Sequence, residues 1–188
     1  MQLCVRDAVS VLSSPVPAPI RLCVCVCVWC VVVVVAGVVG RLCFSATCLN
    51  RPAPRQLADV FCPNETEAAL ITGLPTTTDE EVTVAAREIL RRGPKSVLMT
   101  LGSNGVLYVD GDGSTIHIPG REVNAVDTSG AGDSFVGSFS AFLAMGVDHV
   151  EAMRRAVYVS GESVTGHGTQ LSYKGRDDLP SHLFADLE

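Results

Sequence analysis

The 188-residue sequence predicts an α/β fold, a Rossmann-like central sheet with helices on both faces, and three observations carry that expectation. Short apolar runs alternate with longer segments of helical character, the order in which strands and covering helices follow one another in layered α/β domains. Glycines and prolines punctuate the changes. One glycine-rich turn, "DTSGAGD" at residues 127–133, leads directly into an apolar helix.

Residues 1–50 stand apart as a Cys/Val-rich leader. Seven of the eight cysteines lie there (Cys4, Cys23, Cys25, Cys27, Cys30, Cys43 and Cys48), and only Cys62 follows. Nineteen uncharged residues separate Arg21 from Arg41, a length that just crosses a bilayer core of about 30 Å. Three readings compete: a membrane or signal segment, a zinc or disulfide site, and a low-complexity leader foreign to the fold. Alternating Cys-Val lacks the paired C-x2-C units of a zinc ribbon, since Cys27 and Cys30 make one such pair only. A signal peptide would need a small-residue cleavage site, which the spacing lacks, and would export a chain whose sparse later cysteine use looks cytosolic. The third reading is preferred, with a cytoplasmic location; the alternative is a membrane anchor through residues 22–40.

The folded part begins after "RPAPRQ", within a Pro-rich linker at 51–57. "ADVFC" at 58–62 reads as a short buried strand. "PNETEAALITG" reads as a short helix with Asn64 as N-cap, Glu67 three residues on and Gly73 at its end. "TDEEVTVAAREILRRG" is a second helix, acidic at its start and basic at its end as the helix dipole favours, stopped by Gly93. "SVLMTLG" at 96–102 is an apolar strand, and "GVLYVDGDGSTIHIPG" reads as strands about a Gly-Asp turn. An apolar helix follows over 135–145, closed by Gly146, with Phe135, Phe139, Phe142 and Leu143 as core. A last helix runs from about Asp148 to about Val164. Residues 58–188 thus form the folded part.

A net charge of -6 and the absence of a basic run after Asn50 argue against a general nucleic-acid binder. They leave phosphate chemistry open, because local amides and a metal can hold a small anion. The turn at 127–133 has that character. A helix starting there exposes amides without intrahelical partners, and the dipole behind them favours an anion. Gly130 and Gly132 let backbone approach a phosphate with no Cβ in the way. Asp133 would lie beside a transferring phosphoryl group, where a carboxylate can take the proton of an attacking hydroxyl. Taken alone, the same residues also read as a plain glycine turn with Asp133 favouring the helix start.

"VDTSGAGDSFVGSFSAFLA" closely resembles the C-terminal signature of the ribokinase family, the phosphofructokinase-B type of sugar and nucleoside kinases. Three further stretches agree in order and spacing. "CPNETEA" resembles the family's Asn-x-x-Glu motif, "MTLGSNGVLYV" its nucleotide strand and turn, and "GHGTQLSYKGRDDLP" the tail that closes its nucleotide and cation sites. The resemblance covers residues 58 to about 184.

The resemblance implies a ribokinase-like fold and transfer of the γ-phosphoryl group of ATP to the 5-hydroxyl of D-ribose, with Mg2+ and K+. It implies Asp133 as catalytic base, in contact with the sugar hydroxyl, and Gly130, Ala131 and Gly132 as the anion hole. It implies Asn64 and Glu67 as organisers of magnesium and phosphate through water. Thr100, Leu101, Gly102, Ser103, Asn104 and Gly105 match the nucleotide loop. Asp127, Ser129, Ser163, Gly166, Gly168 and Ser172 fall where the family binds a monovalent cation, largely through carbonyls. Read without the family, Asn64 and Glu67 make a capping box, residues 100–105 a hairpin turn, and Asp127 an Asx turn. His167 reads as an exposed loop residue or a neighbour of adenine, and Cys62 as a small buried hydrophobe.

Two departures qualify the match. Val157 stands where many family members place an Asn near adenine. The family's N-terminal half, with its sugar-gripping residues, the first strands of its sheet and the β-sheet lid through which it dimerises, has no counterpart before Asn50, so the fold is expected to be truncated on that side. The alternatives are a non-catalytic nucleotide-binding fragment or interaction protein, and a related kinase for another sugar or a nucleoside. The expected partners are ATP and a small sugar, without nucleic acid.

Overall fold

The computed structural model describes residues 30–35, 38–43 and 59–188 apart from 170, 186 and 188, the first two segments by backbone alone. Residues 1–29 and the 51–57 linker lie outside the described residues. The chain divides into two compact units, one spanning Arg21–Pro119 and holding every strand, the other holding Gly120–Glu188 and its two helices.

The strand unit is built on one sheet in chain order, β1 (Cys30–Val35), β2 (Val38–Cys43), β3 (Val60–Phe61), β4 (Ser96–Thr100), β5 (Val106–Val109) and β6 (Thr115–Ile118). β1 and β2 pair antiparallel with Cys30 opposite Cys43, and β2 runs parallel to β3. β3 and β4 are parallel, whereas β4, β5 and β6 are antiparallel. Part of the stretch read as a leader therefore takes extended, paired backbone. Among the described residues no helix is long and apolar enough to cross a membrane.

Parallel strands need a crossover, and helices α1 (Glu65–Thr72) and α2 (Asp79–Leu90) supply it between β3 and β4. α1 stops at Gly73, which adopts φ 74° and donates its amide to the Ala69 carbonyl at 2.8 Å. A side chain there would meet the steric penalty of left-handed backbone. α2 opens on a capping box in which the Glu81 amide donates to Thr78 and the Thr78 amide to Glu81. The Glu81 carboxylate also accepts from the amide and hydroxyl of Thr77 at 2.8 and 2.5 Å, which holds its pKa below the usual Glu value. Arg91 and Arg92 pair with Glu88 just past the C-terminal turn.

Strand alternation places Phe61, Val97, Met99, Leu107 and Val109 on one face, where Ala68 of α1 and Val82, Ala86 and Ile89 of α2 complete a buried cluster. Val60, Leu98 and Val106 face the other way and are buried as well. Burial on both faces is what an α/β sheet requires, and it explains why these strands read as continuous apolar runs.

In the helical unit, α3 (Ala131–Ala144) packs on α4 (His149–Ser163). Phe135, Phe139 and Phe142 form the buried stripe of α3; Phe135 stacks on Phe139, and Phe142 tilts against Phe184. Leu143, expected in the core, is only half-buried. Four residues past Phe139, it lies at the edge of the stripe and not at its centre. Arg155 is buried on α4 because its charge is met, by Glu151 at 2.9 Å and by the Leu183 carbonyl at 2.8 Å.

Element boundaries shift where local chemistry overrides the apolar run. The strand expected over 96–102 ends at Thr100, since Gly102–Asn104 form a 3-10 turn. The strand expected over 58–62 is limited to Val60–Phe61, before buried Pro63 and the capping box. α3 starts four residues before the apolar run at 135, within the glycine turn itself.

Truncation of Ile89, fully buried under the sheet, is expected to cost about 3 kcal/mol in the Ile89→Ala variant. Leu70→Ala, at a site 78 % exposed on α1, should change stability by less than about 0.5 kcal/mol. Urea unfolding of both variants checks the packing: similar midpoints would contradict it.

Candidate active site

In the strand unit the candidates gather at the carboxyl end of the parallel pair β3–β4. Beyond β3 the pairing continues irregularly: the Thr100 amide donates to the Pro63 carbonyl at 3.0 Å, and Asn64 bridges to Thr100. Asn64 is the N-cap of α1. The Glu67 amide donates to Asn64 Oδ1 at 2.8 Å and the Asn64 amide to Glu67 Oε2 at 3.0 Å, a reciprocal capping box. Thr100, Leu101, Gly102, Ser103, Asn104 and Gly105 connect β4 to β5. The Leu101 amide donates to the Gly105 carbonyl at 2.8 Å, the Asn104 amide to Leu101, and the Gly105 amide to Gly102. Gly102, Ser103 and Asn104 are exposed, whereas Leu101 and Gly105 are buried. The His117 ring hydrogen-bonds the Asn104 carbonyl at 2.9 Å and props the turn from β6.

Carboxyl ends of parallel strands are where open α/β sheets bind ligands. The chain thus brings Asn64, Glu67 and the 100–105 loop to one such end, from stretches far apart in sequence. Neighbouring Cys62 is buried, which pushes its thiol pKa up, with the Glu67 carboxylate adding to the shift. A thiol held protonated in this way is a packing group and a poor nucleophile.

In the helical unit Gly130 is the N-cap of α3 at φ 80°. Its carbonyl accepts the Ser134 amide at 2.9 Å, and the Ala131 amide turns back to the Thr128 carbonyl at 3.2 Å. The amides of Gly132 and Asp133 lie between these two, in the first turn, where helical geometry provides no partner. Gly132 and Asp133 are exposed, and nothing lies within 4 Å of the space a Cβ on Gly132 would fill. The backbone is therefore open to a ligand at that point, and Asp133, the next residue, is exposed in the same turn.

Asp127 organises the loops behind the turn. Its Oδ1 accepts the Ser129 amide at 2.9 Å, the expected Asx turn, and its Oδ2 accepts the Gly168 amide at 3.0 Å. The amide and hydroxyl of Ser129 favour the ionised form, as do the Gly168 amide and nearby His167, so the pKa lies below the usual Asp value. The amides of Val126 and Asp127 both donate to the Val164 carbonyl. A Cβ on Gly166 would lie 3.3 Å from that of Ser172. Asp127, Ser129, Gly166, Gly168 and Ser172 are thus gathered, with Ser163 one residue from the Val164 carbonyl. The hydroxyls of Ser163 and Ser172 donate to the carbonyls of Ser160 and Thr169.

Among the described residues no three His, Cys, Asp or Glu side chains cluster to hold a metal. The donor set around Asp127 is one carboxylate, serine hydroxyls and main-chain carbonyls. Val157, the departure near adenine, is buried on α4, and His167 is exposed. Reading by residue type missed Tyr173, whose hydroxyl donates to the Gly130 carbonyl at 3.0 Å. Its signal was a lone aromatic in a glycine-rich tail, which no periodicity marks.

The strand unit thus places a capped helix and a glycine loop at a parallel strand end, and the helical unit opens a helix on glycine with an acid in its first turn, within an α/β fold. The chain belongs to the pfkB family of carbohydrate kinases, whose profile matches residues 41–175 and so begins within the stretch read as leader. It is 40% identical over 139 residues to a deoxyribokinase of Salmonella typhi, covering 70% of this chain and 45% of that protein. It is 40% identical over 131 residues to a mouse (Mus musculus) ribokinase, covering 68% and 41%. Its fold is ribokinase-like: Arabidopsis thaliana ribokinase complexed with ribose and ATP superposes with a TM-score of 0.64 at 30% identity, covering 71% of this chain and 42% of that one. Escherichia coli phosphofructokinase-2 in complex with potassium gives 0.58 at 30% identity, covering 69% and 41%. The chain spans less than half the length of these curated relatives.

The lowered pKa of Asp127 has a stability consequence. Its contribution is complete above the ordinary Asp range and is lost as pH falls through the depressed folded value. Asp127→Asn must turn an NH2 towards one of the two amide donors. The variant is expected to melt below the wild type at neutral pH, with the gap closing as pH drops below the carboxylate range. Thermal melts across pH check this, and a gap independent of pH would remove the carboxylate from its bridging role.

Proposed function

We propose that this chain carries the phosphate-handling part of an ATP-dependent sugar kinase, which transfers the γ-phosphoryl group of ATP to the 5-hydroxyl of D-ribose and yields ribose 5-phosphate and ADP. The observation that supports it most is the first turn of α3, where Asp133 and the open Gly132 amide are exposed together behind left-handed Gly130. In this reading Asp133 accepts the proton of the 5-hydroxyl as that oxygen bonds to the γ-phosphorus. The bond from phosphorus to the bridging oxygen breaks, and the electron pair leaves with ADP. Amides of the turn at Gly130–Gly132 hold the charge on the transferring oxygens; the Gly132 amide is open for this, whereas the Ala131 amide would first leave the Thr128 carbonyl. The 100–105 loop is assigned to the nucleotide.

Magnesium would neutralise phosphate charge when bound. Glu67 Oε2 and Asn64 Oδ1 are occupied by the capping box, leaving one carboxylate oxygen. That fits an ion that keeps most of its waters. A potassium-like ion would suit the set around Asp127, since carbonyl and hydroxyl oxygens serve weakly charged cations. A cytoplasmic location fits an enzyme that draws on ATP. A second acceptor, 2-deoxy-D-ribose, is favoured by the deoxyribokinase relative, as similar in sequence as the mouse ribokinase.

Assay of the protein with ATP, magnesium and each sugar tests the reading. Because the sugar-gripping half has no counterpart here, the chain alone should turn over either sugar poorly while still binding ATP with magnesium; failure to bind ATP would overturn the reading. Asp133→Asn keeps size and polarity but accepts no proton, and should lose about 10²–10⁴ in kcat with ATP binding retained. Near-normal turnover would exclude Asp133 as base. Potassium should raise activity above sodium or lithium at matched ionic strength; equal rates in all three would remove the cation from the loop at Asp127.

A further inference from the structure

We infer that Tyr173 is a positioning residue that holds the phosphate-facing turn of α3 in its open conformation; the inference rests on the kinase reading above. Gly130 is the pivot of that turn. Its carbonyl accepts both the Ser134 amide at 2.9 Å, which starts the helix, and the Tyr173 hydroxyl at 3.0 Å, from 43 residues away. The second bond fixes the plane of the Gly130–Ala131 peptide, and with it the Ala131 amide, which turns back to the Thr128 carbonyl just ahead of the open Gly132 and Asp133 amides. The tyrosine also occupies the space beside the pivot: a Cβ built on Gly130 would lie 2.5 Å from the hydroxyl and 3.1 Å from Thr169 Cγ2. Gly130 is therefore required twice, by φ 80° and by this close approach.

Tyr173 is well placed to act through the turn. It follows buried Ser172, which lies against Gly166, and the Gly168 amide of the same tail is held by Asp127. The tail is thus tied at one end to the carboxylate and at the other to the Gly130 carbonyl. The ring lines a small apolar pocket with Ser138, Ala141 and Phe142 of α3 and Leu179. That seating limits the freedom of the hydroxyl before any ligand arrives, and preorganised donors are what phosphate stabilisation needs.

Tyr173→Phe removes the donor and keeps the ring. Amide hydrogen exchange of the full chain, read residue by residue, should quicken at Ala131 and Ser134 by about tenfold and stay unchanged at Phe139 and Phe142 further along α3. In parallel, calorimetry should show ATP bound about tenfold more weakly by the variant, with adenosine affinity retained. A purely structural tyrosine would weaken both ligands or neither. Tyr158→Phe, which alters a tyrosine stacked edge-on against His182, is the control and should leave the turn amides as they are. Unchanged exchange in Tyr173→Phe overturns the inference, as does ATP affinity equal to wild type. Should the wild-type chain bind no ATP while exchange at the turn still quickens, the kinase reading fails and the positioning of the turn stands.

Discussion

Two amide protons converge on the Asp127 carboxylate, one from Ser129 two residues away and one from Gly168, 41 residues away. The loops behind the start of α3 are joined through that convergence. A flexible glycine-rich tail costs backbone entropy to order, and one ionised group satisfies donors from both segments at once. The paired bonds to the Val164 carbonyl extend the junction. With the tail fixed, Tyr173 reaches Gly130, and the start of α3 acquires its shape from outside the helix. The amides left open are those that helix geometry cannot satisfy, and the dipole of a 14-residue helix stands behind them.

The strand unit achieves a similar result by other means. The parallel pair β3–β4 is short, and its regular part ends where Pro63 and the capping box begin. Pairing between Asn64 and Thr100 then carries the two chain segments forward together. The capping box spends one oxygen of Glu67 and one of Asn64 on the helix start, so their structural and proposed chemical roles coexist. A capping residue at the carboxyl end of a parallel strand is already aimed at the ligand side of the sheet.

The fold was legible wherever periodicity and caps agreed. Asn64 does cap the helix that follows it, Gly73 ends that helix, and the alternating apolar runs became the paired strands with Phe61 and Val97 at their centre. Boundaries were less legible, because a 3-10 turn at Gly102–Asn104 and a helix start inside the Gly130 turn are decided by backbone conformation and not by hydropathy. Of the candidate site, the turn, the capping box and the Asx turn at Asp127 followed from residue type and short spacing. The Gly168 and Tyr173 contacts did not, since they join residues more than forty positions apart and leave no local pattern. The six-residue strands at Cys30–Val35 and Val38–Cys43 were hidden by a composition that also suits a membrane segment.

The central claim is that the first turn of α3 binds phosphate through its own amides. Isotope-edited NMR of the chain titrated with magnesium and ATP tests it most directly. The account predicts that the amide signals of Gly132 and Asp133 move as ATP saturates, and that through-bond nitrogen–phosphorus couplings appear at the turn. Saturation by ATP with both signals left in place would contradict it.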